Sequence, residues 1–215
     1  MDIYGSILSP YVARVILAAR HKGIKHNLLM PKGGTKTRSF LKMNPLGKMP
    51  TAKDGTTVLF ESGVIVEYIE AKHKKKSIIP ASAKGAAQAR LIATVFAEYV
   101  QTAMFGLFAH ADPAKRDQKV VDEKLAAIGQ ALDAVEKLMV AKPYAAGARF
   151  TIADCYAAPA LFFLHAIVPQ VTADPVLGKR PKLKRYYTKI SKDKLIGGVM
   201  NEMGEAMKAY MQQQS

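Results

Sequence analysis

An α/β domain followed by an all-helical domain is the architecture this 215-residue sequence predicts. Three observations carry it. A strand-like run, a helical run and a second strand-like run open the chain; an Asp54-Gly55 pair between two β-prone stretches marks a hairpin; and beyond residues 74–83 every periodic stretch steps by three and four.

Residues 2–5 read as a short strand. Val12, Val15, Ile16 and Ala19 then fall at i, i+3, i+4 and i+7, one face of a helix whose N-cap and first residue are Ser9 and Pro10. Lys22-Gly23 closes that helix, and residues 25–30 form a second strand, which implies a parallel pair joined by a right-handed crossover. Residues 31–37 are polar and glycine-bearing, a loop before a short helix over 39–43. Thr51-Ala52 and residues 56–60 pair around Lys53-Asp54-Gly55. Ser62 then stands as N-cap ahead of Val64, Ile65, Tyr68 and Ile69, in a helix running to about His73. Residues 1–76 are thus one domain, 74–83 a linker and 83–215 the helical domain.

In the second domain two long helices are expected, over 83–110 and 115–140, with Asp112-Pro113 breaking between them. Thr151-Ile152-Ala153-Asp154 is a capping-box-like start to a helix apolar nearly all round, the expected centre of this domain. Helices near 182–191 and 195–211 follow. Ile196, Val199, Met200, Met203, Met207 and Tyr210 share a face of the last one, a methionine-rich candidate lid. There is no internal repeat, and the only low-complexity stretch is the tail Gln212 to Gln214.

With 49% of its residues apolar the chain can build a sizeable core. Its start does not read as a signal peptide, because Asp2, Ser6, Pro10 and Arg14 interrupt the apolar pieces. The apolar run over 155–168 falls short of a membrane span and contains Pro159 and His165, so no span is expected. A single cysteine, Cys155, cannot form an internal disulfide, which suits a reducing cytoplasm and reads as an inert core thiol. The formal charge of +15 would suit a polyanion or an acidic membrane face. Yet the lysines are scattered, with only Lys74-Lys75-Lys76 in a run and no aromatic residues interleaved. The charge therefore reads as a solvated surface or a draw for anionic small molecules, with no nucleic acid expected. The five histidines lack metal-ligand spacing and no acid pair suggests hydrolysis, so no metal is expected.

The chemistry concentrates in Asn44-Pro45-Leu46-Gly47-Lys48-Met49-Pro50-Thr51 and Phe60-Glu61-Ser62-Gly63. A Met-Pro step leading into a strand can take a cis bond and aim the amide and carbonyl of Met49 outward. The Ser62 hydroxyl and the first free N–H groups of the following helix make a place for a carboxylate. A backbone clamp beside an anion cradle suits a small peptide with a terminal acid.

On these residues, together with Ser9-Pro10-Tyr11-Val12-Ala13-Arg14-Val15, Phe40-Leu41-Lys42-Met43-Asn44-Pro45 and Thr151-Ile152-Ala153-Asp154, the chain resembles the cytosolic glutathione S-transferase superfamily along nearly its whole length. The resemblance implies a thioredoxin-like N-terminal half, glutathione as co-substrate, and a two-fold homodimer. It implies that Ser9, in the place serine-type bacterial members use, meets the glutathione sulfur, with Ser6 of the same loop the alternative. Met49, ahead of Pro50, would pair its backbone with the cysteinyl part. Glu61 and Ser62 would hold the γ-glutamyl end, Lys36 the glycine carboxylate with Lys48 assisting, and Asp154 would be a helix cap. A hydrophobic electrophile would sit between the domains, with Tyr99, Met104, Phe105 and Phe108 as candidates that ordinary helix packing would also explain. The implied activity is glutathione transfer. Its alternatives are a glutathione-dependent isomerase or ether-cleaving lyase, although the Ser-Ser-Cys run of zeta members and the cysteine of omega members are missing here, or a non-catalytic binding and assembly module.

Overall fold

The computed structural model describes residues 1–213, so Gln214 of the expected low-complexity tail lies outside the described residues. The chain divides into two compact units, one of residues 1–78 with residues 193 onward, the other of residues 79–192.

In the first unit β1 (Asp2–Tyr4), β2 (Asn27–Leu29), β3 (Thr51–Asp54) and β4 (Thr57–Phe60) form one sheet in the order β2-β1-β3-β4. β1 and β2 are parallel, as the strand-helix-strand start predicts, and the other pairs are antiparallel, with Ile3 opposite Ala52. Helices α1 (Pro10–His21) and α3 (Ser62–Lys72) pack together. The predicted stripe of Val12, Val15, Ile16 and Ala19 is buried on α1, and Ile65, Val66 and Ile69 are buried on α3. β2 is shorter than the six residues expected, because at the sheet edge only Asn27 to Leu29 find partners on β1. Helix α2 (Arg38–Met43) starts one residue early, because the Thr37 hydroxyl accepts the Phe40 N–H at 3.3 Å and caps it.

The last helix, α9 (Ile196–Gln212), belongs to this unit, whereas the sequence groups it with the helical domain. Ile196, Val199, Met200 and Met203 are buried and the helix packs on α1, so most of the methionine-bearing face is taken up by packing. Both terminal guanidinium nitrogens of Arg20 donate to the Glu202 carboxylate, at 2.5 and 2.9 Å. The fully buried Lys22 side chain donates to Glu70 at 2.6 Å. Glu70 also accepts from the Ser77 hydroxyl and from the Ile78 N–H, tying the end of this unit to α3.

The second unit is helical. α4 (Ala83–Thr94) is capped by Ser82, whose hydroxyl accepts the Gly85 N–H at 3.1 Å. It runs into a π-helical stretch, Val95–Gln101, and then α5 (Thr102–Phe105). The single α-helix expected over 83–110 is thus interrupted: a π turn takes in an extra residue and rotates everything beyond it. α6 (Gln118–Leu138) starts at Asp117, whose carboxylate accepts two backbone amides. α7 (Ile152–Ile167) forms the core of this unit, with twelve buried residues from Ile152 to Ile167. α8 (Pro181–Ile190) follows. Helices Ala83–His110 and Ile152–Gln170 are long and apolar enough to cross a membrane, and the second is 72% buried, as a core helix is.

The capping box at α7 forms as the sequence predicts. Asp154 Oδ2 accepts the Thr151 N–H at 2.8 Å and the Thr151 hydroxyl at 3.1 Å, while Oδ1 accepts from the Ala145 N–H and the Tyr186 hydroxyl, both at 2.9 Å. Complete burial pushes this carboxyl up from 3.8 to about 6, against the pull of those four donors.

Candidate functional site

The 44–50 turn and the start of α3 face one cleft, about 150 Å³ in volume, lined by Tyr11, Asn44, Lys48, Met49, Pro50, Glu61 and Ser62. Asn44 builds the turn. Its buried side chain donates to the Lys48 carbonyl at 2.9 Å and to the Thr51 hydroxyl at 3.0 Å, and accepts the Leu46 N–H at 3.0 Å. Gly47 has φ +58, and a Cβ there would stand 3.0 Å from Leu41 Cδ2, Lys36 Nζ and the Thr35 carbonyl, so only glycine fits without displacement. The Met49-Pro50 bond is cis.

Across the cleft, Glu61 holds the uncommon backbone pair φ 66, ψ 112, a conformation that costs a non-glycine residue about 1–3 kcal/mol and tends to cluster at ligand sites. The N-cap is Glu61 and Ser62 is the first helical residue, one position earlier than the sequence predicts. The Ser62 hydroxyl is therefore not spent on capping. It is 5% exposed and accepts a hydrogen bond from Arg14 Nη1 at 3.4 Å. The Arg14 guanidinium in turn lies over the Tyr11 ring, 5.0 Å from its centroid. The leading N–H groups of α3 have no carbonyl four residues behind them within the helix and remain available as donors to an anion.

Ser9 occupies the N-cap position of α1, yet its hydroxyl makes no capping bond, while its backbone N–H donates to the Ser6 carbonyl at 3.0 Å. The Ser6 hydroxyl is engaged, accepting the Leu8 N–H at 3.2 Å. Gly5 brings this loop against the cis-proline turn: a Cβ on it would lie 3.3 Å from Met49 Cβ and 2.5 Å from Val12 Cγ2.

Of the residues expected to hold glutathione, Lys48, Met49, Pro50, Glu61 and Ser62 share the cleft. Lys36 lies beside it, exposed, with its ammonium 3.5 Å from the Leu46 carbonyl, and Ser9 is in the neighbouring loop. The four residues expected to meet the electrophile do not stand together. Tyr99 lines a groove of about 580 Å³ with Leu91, Val95, Ala127, Ala131 and Ala134, and Met104, Phe105 and Phe108 are not part of it. Met104 is fully buried, whereas Phe108 packs its ring against Phe105 and Phe163, with centroids 5.6 and 5.9 Å apart. At 100° per residue an ordinary helix already sets Met104, Phe105 and Phe108 about 140–240° around from Tyr99, so the separation follows from the spacing itself. Tyr11, Asn44 and Arg14 were not singled out from the sequence as site residues. Arg14 did carry a signal, as a charge inside the buried stretch of α1.

Comparison with known proteins agrees with this geometry. Residues 3–77 match the glutathione S-transferase N-terminal domain family and residues 95–193 the C-terminal domain family. The chain belongs to the glutathione S-transferase family. It is 30% identical over 213 residues to glutathione S-transferase 3 of Zea mays, covering 89% of each chain. Glutathione S-transferase of Hyoscyamus muticus is 29% identical over 181 residues, which are 76% of this chain and 82% of that one. Among solved structures, glutathione S-transferase I from mais in complex with an atrazine glutathione conjugate superposes with a TM-score of 0.79 at 25% identity, covering 94% of this chain and 97% of that one. The four-stranded mixed sheet with α1 and α3 is the thioredoxin-like half of this family's fold, and the helical unit is its second half. Among the described residues of this glutathione S-transferase, no three His, Cys, Asp or Glu side chains cluster to hold a metal.

Proposed function

We propose that this glutathione transferase holds its tripeptide co-substrate in the cleft between the 44–50 turn and the start of α3, with the sulfur at the Ser9 hydroxyl. The Met49 backbone pairs with the cysteinyl unit. Ser62 and the leading α3 amides take the γ-glutamyl carboxylate, Glu61 takes the ammonium, and Lys36 and Lys48 take the glycine carboxylate. The observation that carries the reading is that the hydroxyl at the start of α1 is left out of helix capping, in a loop that Gly5 presses onto Met49.

A thiol of pKa about 8.5 is roughly 3% ionised at neutral pH, and lowering it by about two units corresponds to about 2.7 kcal/mol. A hydrogen bond to a charged acceptor contributes roughly 1.5–3 kcal/mol and a helix N-terminus up to about one more, so one hydroxyl at the head of α1 suffices. The thiolate attacks the electrophilic carbon, the C–S bond forms, the leaving group departs with its electron pair, and the thiol proton has already passed to solvent. Phe108, 41% exposed and backed by Phe105 and Phe163, is the apolar wall we assign to the electrophile.

Retention on immobilised glutathione, followed by conjugation of an aryl halide, tests the reading. Ser9→Ala should keep glutathione affinity within about twofold and lower turnover roughly ten- to hundredfold. Equal turnover removes Ser9 from the mechanism, and failure of the unmodified protein to be retained removes the cleft. We further propose a two-fold homodimer formed through the groove bordered by Leu91 and Tyr99, whose side chains are 48% and 62% exposed. Leu91→Glu should shift sedimentation from dimer to monomer, and a monomer at the outset refutes the pairing. A cytoplasmic home fits the single, buried cysteine; recovery of the tagged protein in a membrane or secreted fraction would refute it.

A further inference from the structure

The positive charge is distributed over the whole chain, but along α8 the fold sorts it onto one face. Leu183, Tyr186 and Ile190 are buried, while Lys184, Arg185, Lys189 and, just past the helix end, Lys192 are exposed on the other side. At 100° per residue these four cations, with Thr188 among them, occupy an arc of about 140°. Among the described residues none of the four pairs with a carboxylate. The acids near this helix are engaged elsewhere: Glu136 accepts the Lys182 and Leu183 amides, Asp133 binds Arg180, and Asp193 accepts the Leu195 and Ile196 amides. The exposed face of α6 differs, carrying both signs in Lys119, Asp122, Glu123, Asp133 and Lys137. A solvated helix has no need of a single-signed arc, since opposite charges at i and i+4 would stabilise it.

We propose that the outward arc of α8 binds the phosphate backbone of nucleic acid without regard to sequence, an activity separate from glutathione transfer. From Lys184 to Lys192 the helix path advances about 12 Å, so four cations stand on average about 4 Å apart along it, close to the 3.4 Å between phosphates along a nucleic-acid strand. A bilayer surface fits less well, because the apolar side of α8 is consumed by packing and its exposed arc carries no large apolar side chain to insert.

The test is fluorescence anisotropy of a labelled 20-base-pair DNA duplex of mixed sequence with the full chain. Four phosphate contacts predict a slope of about −3.6 in log K against log salt, and about a hundredfold loss between 50 and 200 mM NaCl. Lys184→Gln/Arg185→Gln/Lys189→Gln should flatten the slope by about 2.7 and leave aryl halide conjugation unchanged. Lys74→Gln/Lys75→Gln/Lys76→Gln removes the same charge from another exposed stretch and should leave binding within twofold. No binding at 20 mM NaCl overturns the proposal. So does an equal loss in both variants, which would mark an effect of net charge alone, or retention by phosphatidylglycerol vesicles without binding to the duplex.

Discussion

Replacing Asp154 by Asn separates two effects that act in opposite directions with pH. The carboxylate is fully buried and its four donors surround both oxygens. In Asp154→Asn the amide oxygen can keep the Ala145 N–H and the Tyr186 hydroxyl, and the Thr151 hydroxyl can reverse to accept. The Thr151 N–H, however, then faces an NH₂ group and is orphaned, at a cost of about 1–3 kcal/mol. Against this stands the cost of the charge. A carboxyl raised from 3.8 to about 6 holds its proton longer in the folded state than in the unfolded one. Below pH 4 both states are protonated and this term is absent. As pH rises from 4 to 6 the unfolded chain ionises first, so the folded state loses about 3 kcal/mol from this group by neutral pH. Asparagine does not titrate. The deficit of Asp154→Asn should therefore be largest near pH 4 and smaller by about 3 kcal/mol at pH 7. Urea unfolding followed by far-ultraviolet circular dichroism measures it, the sequence having no tryptophan. A deficit constant within about 0.5 kcal/mol from pH 4 to 7, or one that grows with pH, would refute the reasoning.

Glu70 titrates the other way. Burial pushes its carboxyl up, but the Lys22, Ser77 and Ile78 donors outweigh that and hold it below its ordinary 4.5. Its contribution is present above about pH 4.5 and fades as pH falls through the lower folded value. Glu70→Gln should cost about 1.5–3 kcal/mol at pH 7, because the Lys22 ammonium keeps the Lys75 and Lys76 carbonyls but loses its carboxylate, and should flatten the acid limb of the stability curve. An unaltered acid limb would show that the pair does not form in solution. Gly47→Ala should destabilise the fold by about 1–3 kcal/mol and raise the KM for glutathione with little change in kcat, since the added Cβ meets the Thr35 carbonyl at 3.0 Å in a φ +58 backbone. Steady-state kinetics with glutathione varied would read this, and an unchanged KM would detach the turn from binding.

What could be read without coordinates was what depends on near neighbours in the chain. The Thr151–Asp154 box spans four residues, so local chemistry decides it and it forms as expected; the Asp54-Gly55 pair also makes its hairpin, but Lys53 and Asp54 join the strand and the turn falls at Gly55-Thr56. The α3 start misled by one residue because serine is a good cap in general, whereas here Arg14, 48 positions away, holds the Ser62 hydroxyl. Asn44 heads the stretch that carries the chemistry, but its role was hidden for a similar reason: its three side-chain bonds shape the clamp, and nothing in an Asn-Pro pair announces that the amide will turn inward. The π-helical stretch was illegible because i to i+5 bonding is chosen by packing against other helices and not by the residues Val95–Gln101 themselves. The placement of α9 rests on burial against a helix some 180 residues earlier, and an apolar face does not say which partner will cover it.

The bond from Arg14 to Ser62 gives the hydroxyl a direction. With one lone pair taken by the guanidinium, the hydroxyl keeps its proton and a single lone pair for whatever enters the cleft, which tilts it toward giving a hydrogen bond. A ligand end made only of acceptor oxygens suits such a gate, whereas its carboxamide counterpart would set hydrogen against hydrogen on one side. In the proposed binding mode this bond favours an acid over its amide, groups of nearly equal size, at the start of α3.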